Sequence, residues 1–368
     1  MVRILRLAPV AAFVAFAGVA CSSSSNNAGP TQQSSNDAGV TFTDAQYQAQ
    51  VLQGMHDSLL TDISSLLTAA NAIQAAAPPT LAGWQDPAQV TALKNAWIPA
   101  RSAYEHSEGA IAPLFPDVDT SIDARYDDFL SELGPAGDTY LFDDVGVTGM
   151  HAMERIIYQP NPQAVITFEA TLPGYAASAA PSSDQQAADF KNKLAGKLIS
   201  DVTALQSRWT PVNLNVAIAY QGLVALMNEQ KEKVNKAASS EEESRYSSRT
   251  MVDLRDNLDG TKTIYALFEP WVLSKTNTDP TKDGPTIDAK IQAGFVKLAA
   301  AYAQISGDAF PTVPSTWSSE SPSAADLQTP FGQLYTNVLA AVDPNTDGTI
   351  VFEMNAVATL LGFPIFKQ

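Results

Sequence analysis

The sequence predicts an all-α protein built as two helical bundles, preceded by a cleaved N-terminal signal and a flexible tether. From Phe42 onward, apolar residues recur at spacings of three and four, the period of amphipathic helices. Pro-, Gly- and Ser-rich connections such as "QPNPQ" separate these stretches, and only "QAVITFEATL" at 163–172 is compatible with an extended run. We therefore expect residues 41–368 to form the helical domain, with bundles at about 41–210 and 211–368.

Residues 1–20 have the parts of a secretion signal. Arg3 and Arg6 give a basic start, and an apolar run and small residues follow. The run is shorter than the roughly 20 apolar residues that span a membrane. Cys21, the only cysteine, lies at the expected cleavage point and has no partner for an internal disulfide. The pattern resembles a lipoprotein signal, so we expect lipid attachment at Cys21.

The tether is predicted at residues 21–40, which lack large apolar side chains apart from Val40. A chain with this start is expected to cross the cytoplasmic membrane. The lipid would then anchor it at the cell envelope, in the periplasm or at the outer membrane.

The charge of the chain is strongly negative, −17 over the full sequence. Loss of Arg3 and Arg6 with the signal brings it to about −19. This balance argues against nucleic-acid binding, which selects basic surfaces. It suits a folded domain that attracts cations, although the need to keep a secreted protein soluble also explains much of the acidity.

The helices are predicted from periodicity and from their end signals. The first runs to Pro78, and the second begins with Asp86 as N-cap and Pro87 at its first position. Pro99 is expected to kink the second helix and Pro113 to end it. Further helices are predicted at 121–133, 147–158, 184–209, 213–238, 248–274, 286–305, 324–342 and 352–361.

Two pairs of potential metal ligands have the spacing that places both members of a pair on the same face of a helix. Glu105 with Glu108, and His151 with Glu154, are each three residues apart. Carboxylate-rich metal proteins use such pairs, which project into the core of a helical bundle. One imidazole with several carboxylates suits iron or manganese, with zinc as an alternative and calcium less favoured. Gly149 would permit the close approach of another backbone.

Each pair has a plainer interpretation. A Glu-x-x-Glu pair is common on solvated helices, and Glu154 could pair with Arg155. The apolar neighbours of His151 favour the metal, because a polar pair in an apolar setting needs a partner.

Protease and calcium motifs are incomplete. The sequence contains no His-Glu-x-x-His and no Gly-x-Ser-x-Gly, although a Ser-His-Asp triad stays open because its members need not be adjacent. "DPNTDGTIVFEM", from Asp343, begins like a calcium loop, but its twelfth position is Met354 and Glu353 lies one place early. We therefore expect a turn there.

Four segments in order resemble the imelysin-like family, most closely its EfeO/EfeM branch of iron-uptake lipoproteins. They are "AWIPARSAYEHSE", "DVDTSIDARYDDF", "GMHAMERIIY" with the Gly-x-His-x-x-Glu signature, and "LMNEQKEKVNKAASSEEESRYSSRTMVDLRDNLDGTK". One departure is that Tyr246-Ser247-Ser248 replaces the family's Tyr-Ser-His, so any role of that histidine is absent.

The resemblance implies an all-α, two-bundle fold with a metal site between helices. It also implies capture of iron outside the cytoplasmic membrane for delivery to a membrane permease. The family's ligands would map onto Glu105, Glu108, Asp123, His151, Glu154 and, more weakly, Glu229, with Arg101 and Tyr104 orienting the carboxylates. Two other classes stay open, namely a peptidase of imelysin type and a metal-independent acidic lipoprotein that binds a partner or a polysaccharide.

Overall fold

The computed structural model describes residues 42–367, so the predicted signal, tether and Cys21 lie outside the described residues. The predicted all-α class is confirmed, since residues 42–367 contain helices and no strand. The helices are α1 (Asp44–Ala76), α2 (Leu81–Trp84), α3 (Pro87–Leu114), α4 (Pro116–Asp123), α5 (Tyr126–Leu133), α6 (Gly149–Ile157), α7 (Gln163–Glu169), α8 (Asp184–Asp189), α9 (Ala195–Trp209), α10 (Val216–Lys236), α11 (Thr250–Leu273), α12 (Gly284–Ala303), α13 (Pro330–Val342) and α14 (Ile350–Leu361). A π-helical turn at Phe190–Leu194 joins α8 to α9, and 3₁₀ turns lie at Gly134–Ala136, Ala237–Ser239 and Asp326–Gln328.

Helix α3 has a central position in the packing. It contacts α1 along its length, and it also packs against α10 and α11 from the second half of the chain. Helices α12, α13 and α14 pack together and reach α3 through α10 and α11. Phe42–Gln368 form one compact unit. The division into two bundles near residue 211 stays a prediction.

The start of α3 follows its sequence signals. Asp86 is the N-cap, and its Oδ1 accepts a hydrogen bond of 2.9 Å from the backbone N–H of Ala88. Pro113 does not end the helix as expected, because α3 continues to Leu114. A proline loses only the bond to the carbonyl four residues earlier, so the residue after it can stay helical.

One helix prediction was wrong in its bounds, and the one run that could have been extended is helical. The helix expected at 121–133 is divided into α4 and α5 by extended backbone at Arg125, which leaves Asp123 at the end of α4. The run compatible with a strand is helical over Gln163–Glu169, where Val165 and Glu169 are buried four residues apart on one helix face. The segment after Asp343 is a turn, as expected.

None of the helices within residues 42–367 combines the length and apolar character that a membrane span requires.

Candidate metal centre

Helix α3 carries a buried polar face in the middle of the protein. Arg101 is buried there, and so are Tyr104 and Glu105, which lie about one helical turn further along. The indole N–H of Trp97 donates to the backbone carbonyl of Met150 at 3.0 Å and so fixes α6 against α3. The two helices that carry the predicted pairs therefore face each other.

Gly149 decides how close α6 comes to α4. Its φ is +81°, in the left-handed region, and an added Cβ would lie 2.4 Å from the carbonyl oxygen of Ile122. Only glycine fits this position, which confirms the expected close backbone approach. The contact sets His151 beside Asp123, with 3.5 Å between Nε2 and Oδ1.

A third ligand candidate comes from the segment between α10 and α11. Glu243 Oε1 lies 3.9 Å from Nε2 of His151. One ligand atom from each of Asp123, His151 and Glu243 lies within 4.8 Å of the others. Ligand atoms that share one ion lie about 3 Å apart, since each metal–ligand bond is near 2 Å, and small side-chain rotations can close these three onto one ion.

The imidazole of His151 is oriented for ligation. Its Nδ1 lies 3.1 Å from Glu154 Oε2, and Glu154 Oε1 accepts a hydrogen bond of 2.7 Å from the backbone N–H of Ser247. With a proton on Nδ1 donated to Glu154, the lone pair of Nε2 points at Asp123 and Glu243. Nε2 is buried and makes no hydrogen bond to any described residue.

Burial governs the charge state of this pair. It lowers the pKa of His151 well below its ordinary value, and the guanidinium of Arg101 acts in the same direction. The ring is therefore neutral near pH 7, as ligation requires. Burial also raises the pKa of Glu154 to about 8, although the hydrogen bonds from Ser247 oppose that shift. The carboxylate form, which accepts the Nδ1 proton of His151, therefore becomes more populated as the pH rises through this value.

Arg101 lies at the centre of the carboxylates. Its guanidinium contacts Asp123 and Glu105 directly, and it lies 3.6 Å from Glu243 and 3.5 Å from Asp253. Burial raises the pKa of Asp123 and of Glu105 well above the ordinary carboxyl range, against the effect of Arg101. The arginine thus offsets repulsion among groups that could otherwise not share a buried space.

Glu105 and Glu108 are held by α11 and α10. Nδ2 of Asn257 lies 2.6 Å from Glu105 Oε2 and 2.8 Å from Glu108 Oε2. The close packing of α11 on α3 that allows these contacts depends on Gly260, where a Cβ would lie 2.0 Å from the carbonyl oxygen of His106 on α3. Neither carboxylate belongs to the Asp123–His151–Glu243 triad, so their role as ligands stays a prediction.

An acidic cavity of about 420 Å³ opens beside the triad. Eight acidic and three basic residues line it, and Asp123 and Glu243 of the triad are among the acidic ones. Glu229 lines the wall, and burial raises its pKa to about 7. The hydroxyl of Tyr104 contacts Asp119 on this wall, whose pKa burial raises to about 6. All six predicted ligands therefore lie in one region, and Asp123 and His151 are the two that meet Glu243.

Sequence reasoning missed Glu243. It belongs to the run Glu241-Glu242-Glu243 outside any helix, where no spacing marks one glutamate among three. Ser247, the residue before the departure from Tyr-Ser-His, donates its backbone N–H to Glu154.

Comparisons with a family model, with curated relatives and with a solved structure all point to the same family. Residues 37–341 match the family model described as Imelysin, Peptidase_M75. The iron uptake system component EfeM of Pseudomonas syringae pv. syringae is 31% identical over 183 residues, 50% of each chain. The iron uptake system component EfeO of Escherichia coli K12 is 29% identical over 205 residues, 56% of this chain and 42% of that one. The chain thus spans about half the length of the curated relatives it matches.

A solved structure shares the fold. The crystal structure of an imelysin-like protein from Psychrobacter arcticum 273-4 superposes with a TM-score of 0.57 at 11% identity, over 89% of this chain and 99% of that chain. The family model covers well over half of the sequence. The chain belongs to the imelysin family.

Proposed function

We propose that this protein binds an iron ion at Asp123, His151 and Glu243 and takes part in iron uptake at the cell envelope. Its relatives EfeM and EfeO are named iron uptake system components, which supports this role. In the same proposal, a lipid at Cys21 anchors the protein outside the cytoplasmic membrane, and a membrane permease receives the ion.

The observation that carries the proposal is the imidazole of His151. Its Nε2 is buried, lacks a hydrogen bond among the described residues, and faces two carboxylates. A buried polar atom without a partner is unfavourable, and a metal ion would satisfy it. Two carboxylates and one neutral imidazole suit iron or manganese, with zinc as the alternative.

The surroundings favour a cation that arrives from solvent. Three protein ligands leave coordination positions open toward the acidic cavity, whose carboxylates would attract a positive ion. Glu105, Glu108, Glu154 and Glu229 are the further ligands that we propose from the family resemblance. In this geometry Glu154 serves best by holding the imidazole ring.

Calorimetric titration tests the proposal. The chain from Ser22 onward is titrated with ferrous iron, ferric citrate, manganese, zinc and calcium, beside the variants His151→Ala and His56→Ala. His56 is the matched control. It is also a histidine on a helix, but its ring stacks on Trp209 and contacts no residue of the triad. We expect the affinity for iron to fall at least about 100-fold in His151→Ala, since a direct ligand is lost, and to stay unchanged in His56→Ala.

Equal affinity in His151→Ala and the unaltered chain would exclude this site. Absence of binding for every ion would instead favour a metal-independent acidic interaction protein.

A further inference from the structure

Lys233 of α10 is a buried ammonium placed among the carboxylates of the metal centre. Only 4% of the residue is exposed, and its Nζ lies 3.1 and 3.2 Å from the two oxygens of Glu108. The same Nζ lies 3.7 Å from Glu243 Oε2 and 3.2 Å from Asn257 Oδ1. A lysine is rarely buried to this extent unless it is paired. Here its partners are residues that the proposed function assigns to the metal.

Glu243 is shared between this lysine and the triad. Its Oε1 faces His151 at 3.9 Å, while its Oε2 faces the ammonium of Lys233. Burial alone would raise the pKa of Glu243, but Lys233 and then Arg101 hold it below its usual range. One positive charge of the chain therefore already lies beside the oxygen of Glu243 that is turned away from His151.

The two buried cations differ in their freedom to move. Arg101 has a planar guanidinium that contacts Asp123 and Glu105 together and is enclosed by four carboxylates. Lys233 carries a compact charge on a flexible stem, and it lines the cavity. Its ammonium can swing outward to other carboxylates of the same wall, Glu229 and Glu232.

We propose that Lys233 is a built-in counter-cation, which neutralises Glu108 and Glu243 until a metal ion enters and then moves out toward the cavity. The inference rests on the proposed function, because it assumes that the triad takes a metal ion. The outward movement would also release both oxygens of Glu108, which would then be available as a further ligand. In the metal-free protein the lysine offsets repulsion among the acids, and in the metal-bound protein its charge opposes the ion. Lys233 therefore lowers the affinity and speeds release, which suits a protein that passes its ion onward.

Amine labelling of the unaltered chain tests the movement directly. The protein is acetylated with an N-hydroxysuccinimide ester, without oxygen, in the presence and absence of ferrous iron, and labelled lysines are identified by peptide mass spectrometry. We expect Lys233 to be protected without iron and labelled with iron. Lys282, whose side chain is 69% exposed, should be labelled in both samples and serves as the reference. Protection of Lys233 that persists when iron is bound would overturn the inference.

Substitution tests the effect of the charge. Lys233→Met removes it, Lys233→Arg keeps it, and Lys262→Met removes an exposed lysine that pairs with Asp259 on α11. Without iron, Lys233→Met should melt at a lower temperature than the unaltered chain. Its affinity for ferrous iron should be at least about tenfold higher, because a nearby positive charge has gone. Iron should also bring the melting temperature of Lys233→Met back close to that of the unaltered chain. If Lys233 were purely structural, the substitution would lower the melting temperature equally with and without iron. Lys262→Met should bind iron within about threefold of the unaltered chain. Lys233→Arg, which keeps the charge, should not show the gain in affinity of Lys233→Met.

The outcomes separate the two proposals. Failure of the unaltered chain to bind any ion contradicts the proposed function. Binding by the unaltered chain, with equal or weaker binding by a folded Lys233→Met, contradicts the counter-cation alone. If Lys233→Met does not fold, the labelling experiment decides.

Discussion

Helix α6 borders two buried ionic clusters that differ in their charge balance. The closed cluster, formed by Arg155, Glu169, Arg245 and Asp127, has two positive and two negative groups. The open cluster is formed by Arg101 and Lys233 with Glu105, Glu108, Asp123, Glu154, Glu243 and Asp253, so it has two positive and six acidic groups. Both clusters use arginine to hold carboxylates in the core, and only the open one has an acid excess.

Each charge of the closed cluster is paired with an opposite charge. Arg155 donates to Glu169 at 2.9 Å and to the carbonyl of Ala176 at 2.7 Å, and its guanidinium stacks 3.7 Å from the ring centre of Tyr126. Tyr246 donates to the other oxygen of Glu169. Within residues 42–367, buried nitrogens without a hydrogen bond occur in both clusters, on Arg155 and Arg245 in the closed one and on Nε2 of His151 in the open one. The difference is that Nε2 of His151 carries a lone pair and faces unpaired acid excess, whereas the guanidinium nitrogens already belong to balanced charge pairs. The comparison teaches that balanced buried charge stabilises the fold, while unbalanced buried charge is suited to an external cation.

The largest expected effect would come from breaking the closed cluster. Glu169→Gln leaves Arg155 buried without its counter-charge, so we expect a loss of about 3–5 kcal/mol in the free energy of unfolding. Urea denaturation measures this, with the exposed Glu320→Gln as control. A loss below about 1 kcal/mol would remove the distinction between the two clusters.

The second effect concerns the open cluster and depends on the ion. At an iron concentration 100 times the Kd, the free energy of unfolding should rise by about 2.7 kcal/mol in the unaltered chain. His151→Ala should show no such rise, whereas folded Glu169→Gln should keep it. A chelator should reverse the gain, and stabilisation of His151→Ala by iron would place the ion elsewhere.

A third effect tests whether the acid excess guides the ion. Glu232→Lys reverses a charge on the cavity wall, 60% exposed, without touching the triad. We expect the association rate of ferrous iron to fall about tenfold at low salt, and the difference to shrink at high salt as the charges are screened. Stopped-flow measurements would show this, and Glu320→Lys should leave the rate nearly unchanged.

The smallest effect is expected at Lys290, a partly exposed lysine far along the chain from the metal centre. Lys290 lies 2.7 Å from Asp347 and 2.9 Å from Glu353, and the hydrogen bond to Asp347 raises the pKa of Lys290. A raised lysine pKa means that the stabilisation is present below the unfolded value of about 10.4 and is lost as the pH rises through the folded value. Lys290→Met should therefore reduce the melting temperature slightly at pH 7 and have less effect above pH 11. A deficit that grew with pH would contradict this assignment.

Local patterns made part of the centre predictable. His151 and Glu154 share a helix face because of their spacing, and Gly149 marks the close contact with α4. The N-cap Asp86 was likewise predictable, because its bonds are formed within one turn.

Contacts between distant segments were not predictable in the same way. Glu243 lies outside any helix and reaches His151 only because α10 and α11 both pack on α3. The burial of Lys233 depends on the same packing, since nothing in its own helix distinguishes it from exposed lysines.

Helix α6 has one further property with a dynamic consequence. Every residue from Gly149 to Ile157 is buried, so no part of this short helix faces solvent. Its backbone amides should exchange with deuterated water only through large-scale unfolding, far more slowly than those at the ends of α10. In the proposed site, the imidazole would then be held in place before any ion arrives. Capture would require the lysine to move but not the histidine, so little ordering entropy would be lost at the ligand itself.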